Sequence, residues 1–197
     1  MHWWLKHAYY GRIPFAVRGR EAVSHQVIGL PARRHLSATF VFMKVLLMLK
    51  NIHPLLHADL LATLCSMGHG DDIVVADANF PADSISRHTT LGKVLRLDGS
   101  DVPQAVAAIL SVLPLDSFVD HPASRMQVVG KPGDLPAIQN EVQALIDQAE
   151  GKPLPMAGIE RMEFYERAKN AYAVVATSER RFYGCFIFKK GVIAPDA

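Results

Sequence analysis

The sequence predicts an α/β domain built on a layered sheet. Three observations predict it. Helical and strand-like segments alternate from Pro54 onward, the strand-like runs are short, apolar and rich in β-branched residues, and glycine and proline mark several junctions. Half of the 197 residues are hydrophobic and a fifth are charged, enough for one domain, with or without an appendage, to bury a core.

Residues 1–37 carry no sustained period, and Gly11, Pro14, Gly19, Gly29 and Pro31 interrupt whatever begins there. The first ordered pattern is Leu60, Leu61, Leu64 and Met67 at helical spacing, with Pro54 in the early turn and Gly68 where a helix C-terminus favours glycine. Asp72 to Asp77 reads as a buried strand, residues 78–90 as a polar loop, and Lys93 to Leu97 as a second strand. Pro103 to Leu113 forms a helix with Val106, Ile109, Leu110 and Leu113 on one face and Asp101 near its start. Arg125 to Val129 is the third strand. Pro136 to Glu150 is amphipathic through Ile138, Val142 and Ile146, closed by the Gly/Pro stretch 151–158. Ile159 to Phe164 reads as a strand entering a short helix, Tyr165 to Asn170. Ala173 to Thr177 and Cys185 to Phe188 are the last strands, joined through Ser178 to Tyr183.

Charge is unevenly spread. Residues 1–47 hold seven Lys or Arg and one acid, Glu21, for +6, which leaves −4 for residues 48–197 from the total of +2. The basic balance therefore belongs to an irregular N-terminal extension, read as preceding a working start at Met43 or Met48; its Arg-rich, acid-poor composition also matches a transit segment. A basic stripe with interleaved aromatics is missing after Met48, so no nucleic-acid partner is expected. The apolar run 38–49, broken by Lys44, falls short of the roughly 20 residues a bilayer needs, so no membrane partner is expected either. Two cysteines, Cys65 and Cys185, rule out a disulfide framework and a cysteine-built zinc site, and the chain reads as cytoplasmic.

The candidate functional residues sit at the junctions. His69 lies between Gly68 and Gly70, just past a helix and before a buried strand; helix C-terminal carbonyls favour a protonated imidazole, which suits a proton donor, although the same placement suits a simple helix cap. Asp77 closes the first strand, where α/β sheets bind ligands and where turn-starting aspartates are also common. Asp116, in Leu113-Pro114-Leu115-Asp116, either shapes a loop or meets a ligand. Arg161 and Phe164-Tyr165-Glu166-Arg167 combine rings and forks that can hold a sugar, or form a solvated helix face. His53 and His57 are four apart without a third ligand in view, so no metal is expected. Nucleotide-binding glycine loops and a nucleophile elbow are likewise missing.

Taken in order, Met48-Leu49-Lys50, Met67-Gly68-His69-Gly70-Asp71, Asp77-Ala78-Asn79-Phe80-Pro81, Leu113-Pro114-Leu115-Asp116, Phe164-Tyr165-Glu166-Arg167-Ala168-Lys169, and Tyr183-Gly184 with Lys189-Lys190-Gly191 resemble the L-fucose mutarotase family, which sits beside ribose pyranase. The resemblance runs from Met48 to about Val192. It implies a ribose pyranase-like three-layer α/β/α domain with a mixed central sheet, assembled into ring-based decamers with sites shared between subunits. It implies a histidine proton donor, His69, and sugar contacts at Asp77, Asp116, Arg161, Tyr165, Tyr183 and position 185. The implied reaction interconverts the anomers of L-fucose without cofactor or metal. Cys185 departs from the family, which usually carries asparagine there; a thiol is a weak donor and a weak acceptor. A pyranase acting on another monosaccharide and a non-catalytic sugar-binding protein are the competing expectations.

Overall fold

The structure, a computed structural model, describes residues 49–195. The expectations for the N-terminal extension lie outside the described residues. The elements run α1 (Ala58–Ser66), β1 (Asp72–Ala76), α2 (Ala82–Ser86), β2 (Val94–Leu97), α3 (Val102–Leu110), β3 (Ala123–Met126), α4 (Ala137–Glu150), β4 (Ala157–Ile159), α5 (Arg161–Lys169), β5 (Ala173–Thr177) and β6 (Phe186–Lys189).

Six strands form one sheet in the order β2-β5-β1-β6-β3-β4. β2, β5 and β1 are mutually parallel, as are β3 and β4; β6 runs antiparallel between β1 and β3, with Val74 opposite Ile187 and Ser124 opposite the same residue from the other side. Successive strand residues point to opposite faces, and here both faces are covered. Ile73, Val75, Phe186 and Phe188 pack with α1, α3 and α4, whereas Val74, Ala76 and Ile187 pack with α2 and α5. That double burial is why β1 reads as a continuous apolar run rather than an alternating one. The three-layer expectation is met.

Local chemistry accounts for most boundaries and for the differences from expectation. Asp101 and Gln104 make a reciprocal capping box that starts α3. Glu160 accepts from the amides of Met162 (2.6 Å) and Glu163 (3.2 Å), so α5 begins at Arg161 and the strand expected over 159–164 stops at Ile159. The third strand starts at Ala123 and not Arg125, because its register is set by β6 and β4. Within the expected polar loop 78–90, Ala82, Ile85 and Ser86 are buried in one short helical turn, α2. Gly68 does not end α1 in a left-handed conformation; Met67 is the cap, and the positive φ (+85°) falls at Gly70. Pro54 precedes the helix, and His57 caps it by accepting the Leu60 amide on Nδ1.

Candidate active site

Five parallel strands bring their carboxyl ends to one edge of the sheet, and antiparallel β6 begins at that same edge. Asp77 follows β1, Met126 ends β3, Arg161 and Tyr165 lie on the first turns of α5 after β4, and Tyr183 and Cys185 lead into β6. With Asn79, Phe80 and Phe182 they line a cleft of about 330 Å³. This is at the small end of the range for small-molecule sites, roughly 300–1,000 Å³.

The Asp77 carboxylate is buried and held by protein donors. Oδ1 accepts the Asn79 amide at 2.9 Å, and Oδ2 accepts the Gly184 amide at 3.1 Å and the Cys185 thiol at 3.5 Å. A carboxylate offers about four lone-pair positions, so three donors leave about one for a ligand. Asp77 therefore both starts a turn and faces the cleft. Burial, and next to it the Asp77 charge, push the Cys185 thiol well above its ordinary range, so it stays an un-ionised donor and not a nucleophile. Burial also raises the Tyr165 phenol, against an opposing pull from Arg161, and the Phe80 ring meets it edge-on at 5.6 Å. Tyr165 thus remains a hydroxyl donor beside a cation.

Tyr183 adopts φ +61°, a conformation that strains a bulky residue by roughly 1–3 kcal/mol and persists only where its surroundings over-determine it. Its hydroxyl accepts the Val129 amide at 3.3 Å, and its carbonyl accepts from Gln139 at 3.0 Å. At Gly184 a Cβ would lie 2.8 Å from Ile138 Cδ1, so a larger residue there would have to displace that side chain. Buried Glu179 steadies the same loop. Its carboxylate accepts from the Arg181 amide and guanidinium at 2.8–3.0 Å, and Arg181 continues to Glu141 at 2.8 Å. The Glu179 carbonyl accepts the Ala78 amide at 2.8 Å, tying the Tyr183 loop to the Asp77 turn.

His69 and Asp116 lie at the opposite edge. His69 precedes β1 while Asp77 follows it, and five residues of strand span about 16 Å. His69 Nε2 is 3.1 Å from Asp116 Oδ1, and the Phe118 ring stands edge-on at 5.6 Å. Asp116 is buried, and the Phe118 amide on Oδ1, then His69, hold its carboxyl below the usual range despite burial. An ionised carboxylate only accepts, so Nε2 carries a proton and Nδ1 is the nitrogen not engaged by Asp116. The alternative reading of His69 as a simple cap of α1 is not met. Lys190 Nζ, not His69, satisfies the last carbonyls of that helix, Leu64 (2.8 Å) and Met67.

One chain thus brings Asp77, Arg161, Tyr165, Tyr183 and Cys185 together and leaves His69 with Asp116 elsewhere. Sequence reasoning did not single out Asn79, Phe80, Met126 and Phe182 as cleft lining, although Asn79 and Phe80 stood inside a quoted motif. It also read α4 past Gln139. Among the described residues, no three His, Cys, Asp or Glu side chains converge as a metal site, and no helix is long and apolar enough to cross a membrane. His53 and His57 each accept a backbone amide on Nδ1.

A covered mixed sheet whose strand ends present a carboxylate, a guanidinium and phenols around a cleft this small defines an α/β protein built for a small hydroxyl-rich ligand. The chain belongs to the RbsD / FucU transport protein family, which it matches over residues 50–193. The fucose mutarotase of Bos taurus is 44% identical over 153 residues, 76% of this chain and 97% of that protein. The fucose mutarotase of Streptococcus pneumoniae, solved in complex with L-fucose, is 41% identical with a TM-score of 0.67, covering 74% of this chain and 100% of that one. RbsD of Bacillus subtilis, complexed with D-ribose, is 20% identical with a TM-score of 0.55 over 72% of this chain and 98% of its own, and shares the fold.

Proposed function

We propose that this protein is an isomerase that interconverts the α and β anomers of L-fucopyranose, and that residues 48–197 carry the activity. The observation that carries this reading is the convergence of Asp77, Arg161, Tyr165 and Tyr183 on one cleft in a chain 44% identical to a fucose mutarotase. Anomer exchange needs a base to take the anomeric hydroxyl proton as the C1–ring oxygen bond breaks, and an acid to protonate the departing ring oxygen. Rotation about C1–C2 and the reverse transfers close the ring on its other face. Positioned acid–base groups contribute about 10²–10⁴ to such a step.

In this reading Asp77 accepts from the sugar at its remaining lone pair, while Arg161, Tyr165 and Tyr183 hold the other oxygens. Cys185 lines the wall through its contact with Asp77. His69 supplies the proton to the ring oxygen through Nδ1 of the imidazolium, with Asp116 steadying Nε2. Their position at the far edge of β1 implies that His69 comes from a neighbouring subunit. Exposed apolar side chains at both edges, Phe118 (73%) beside His69 and Phe182 (72%) on the cleft, support such an interface. A ring-based decamer with shared sites fits that requirement. Two unpaired cysteines fit the cytoplasm.

Saturation-transfer NMR on the α and β anomers of L-fucose, galactose and ribose tests the proposal. Exchange is expected above the buffer rate and fastest on L-fucose, with His69→Ala lowering it at least 10²-fold. Undiminished exchange in the variant removes His69 from the mechanism. Saturable binding without exchange makes the protein a sugar binder.

A further inference from the structure

Gln139 is fully buried on α4, in the stripe that otherwise holds Ile138, Val142 and Ile146. Both of its amide hydrogens and its amide oxygen are engaged. Nε2 donates to the Met126 carbonyl at 2.8 Å and to the Tyr183 carbonyl at 3.0 Å, and Oε1 accepts from Arg125 at 3.1 Å. Arg125 only donates and the two carbonyls only accept, which settles which end of the amide is which. Arg125 also donates to the Pro132 carbonyl at 3.2 Å, and among the described residues it makes no salt bridge. A charged donor on Oε1 polarises the amide and strengthens both Nε2 bonds.

The Tyr183 carbonyl and the Gly184 N–H belong to one peptide unit. Its oxygen faces Gln139, and its N–H faces Asp77 Oδ2 at 3.1 Å. Rotating that peptide would break both bonds together. We infer that Gln139 is a positioning residue of the cleft: through the Tyr183–Gly184 peptide it sets the direction in which Asp77 presents its carboxylate. The same amide pins the end of β3 at Met126, so two walls of the cleft are referred to one side chain. This inference rests on the mutarotase reading only for its effect on activity.

The test is Gln139→Glu in the full chain, with Gln139→Met as the second variant. Glutamate keeps the Arg125 contact but offers no donor, so its second oxygen confronts both carbonyls. L-Fucose anomer exchange is expected to fall about 10–100-fold in kcat with a smaller change in KM. Hydrogen-exchange mass spectrometry should show faster exchange across residues 183–185, a readout that needs no activity and stands even if the natural sugar is another. Methionine, of similar volume and without a donor, should do the same. Variants that fold with wild-type exchange kinetics and wild-type protection at 183–185 overturn the inference. So does a lowered melting temperature with both readouts unchanged, because that is what a merely structural glutamine would give.

Discussion

Glu179 is a charge buried at a loop, and it is stable there because Arg181 brings its own amide and two guanidinium nitrogens to the same carboxylate. Those bonds hold the carboxyl at about 2, below its ordinary 4.5, despite burial. The folded value lies below the unfolded one. The stabilisation is therefore complete above about pH 4.5 and disappears as pH falls toward 2. Arg181 is 43% exposed, so solvent screening trims the full effect. Glu179→Gln should lower stability at pH 7 by about 2 kcal/mol in urea unfolding, with the gap to wild type closing between pH 4.5 and 2. A gap that persists at pH 2 would assign the loss to packing. Nothing in Ser178-Glu179-Arg180-Arg181 marks this acid as buried. Its partners are fixed only when the loop folds back over α4 and the Asp77 turn.

At the scale of elements, the exit from β6 governs the His69 edge. Lys190 caps α1, and Gly191 follows directly against the Leu115–Asp116 backbone. A Cβ at Gly191 would approach the Leu115 carbonyl carbon at 2.7 Å and Asp116 Cα at 2.8 Å, and backbone cannot swing away as a side chain can. Gly191→Ala is expected to destabilise by about 1–3 kcal/mol through overpacking, measured by thermal unfolding. It should also slow L-fucose anomer exchange, because Asp116 shifts from His69. Full activity in that variant would mean the Asp116 placement does not matter. The motif Lys189-Lys190-Gly191 is visible in the sequence, but its three roles are not. Lys189 reaches the Gly70 carbonyl and Asp72, and Lys190 reaches α1. These contacts cross more than a hundred residues of chain.

At the scale of the whole molecule, the separation of His69 from Asp77 is the decisive feature. In the proposed mechanism a proton donor at His69, about 16 Å from Asp77, reaches the same sugar only when neighbouring subunits share a site. His69→Ala and Asp77→Asn should each be inactive alone. Co-expressed, their mixed assemblies should regain exchange, approaching about a quarter of wild type when subunits mix at random. Absence of any recovery in a verified mixed assembly would place both residues in the same subunit's site. Light scattering on the same samples reports whether the assembly is the proposed decamer.

Alternation of apolar runs and amphipathic stretches was enough to predict an α/β domain, because period and burial are local properties of the chain. The ordered motifs pointed to the fucose mutarotase family for a similar reason: several of them, among them those at 67–71, 77–81 and 183–184, sit at strand and helix ends, where the backbone demands particular residues. Several features could not be reached that way. The capping of α1 by Lys190, the start of α5 at Arg161 and the burial of Gln139 depend on which ends the sheet order brings together. Most consequential is the division of the candidate site between two edges. That β1 parts His69 from Asp77 is already legible in the chain. The gathering of Arg161, Tyr165, Tyr183 and Cys185 beside Asp77, and of Asp116 beside His69, follows instead from the parallel strands and the antiparallel return of β6, a relation between strands that no stretch of sequence contains. Composition placed His69 and Asp77 eight residues apart; the strand between them set them on opposite sides of the molecule.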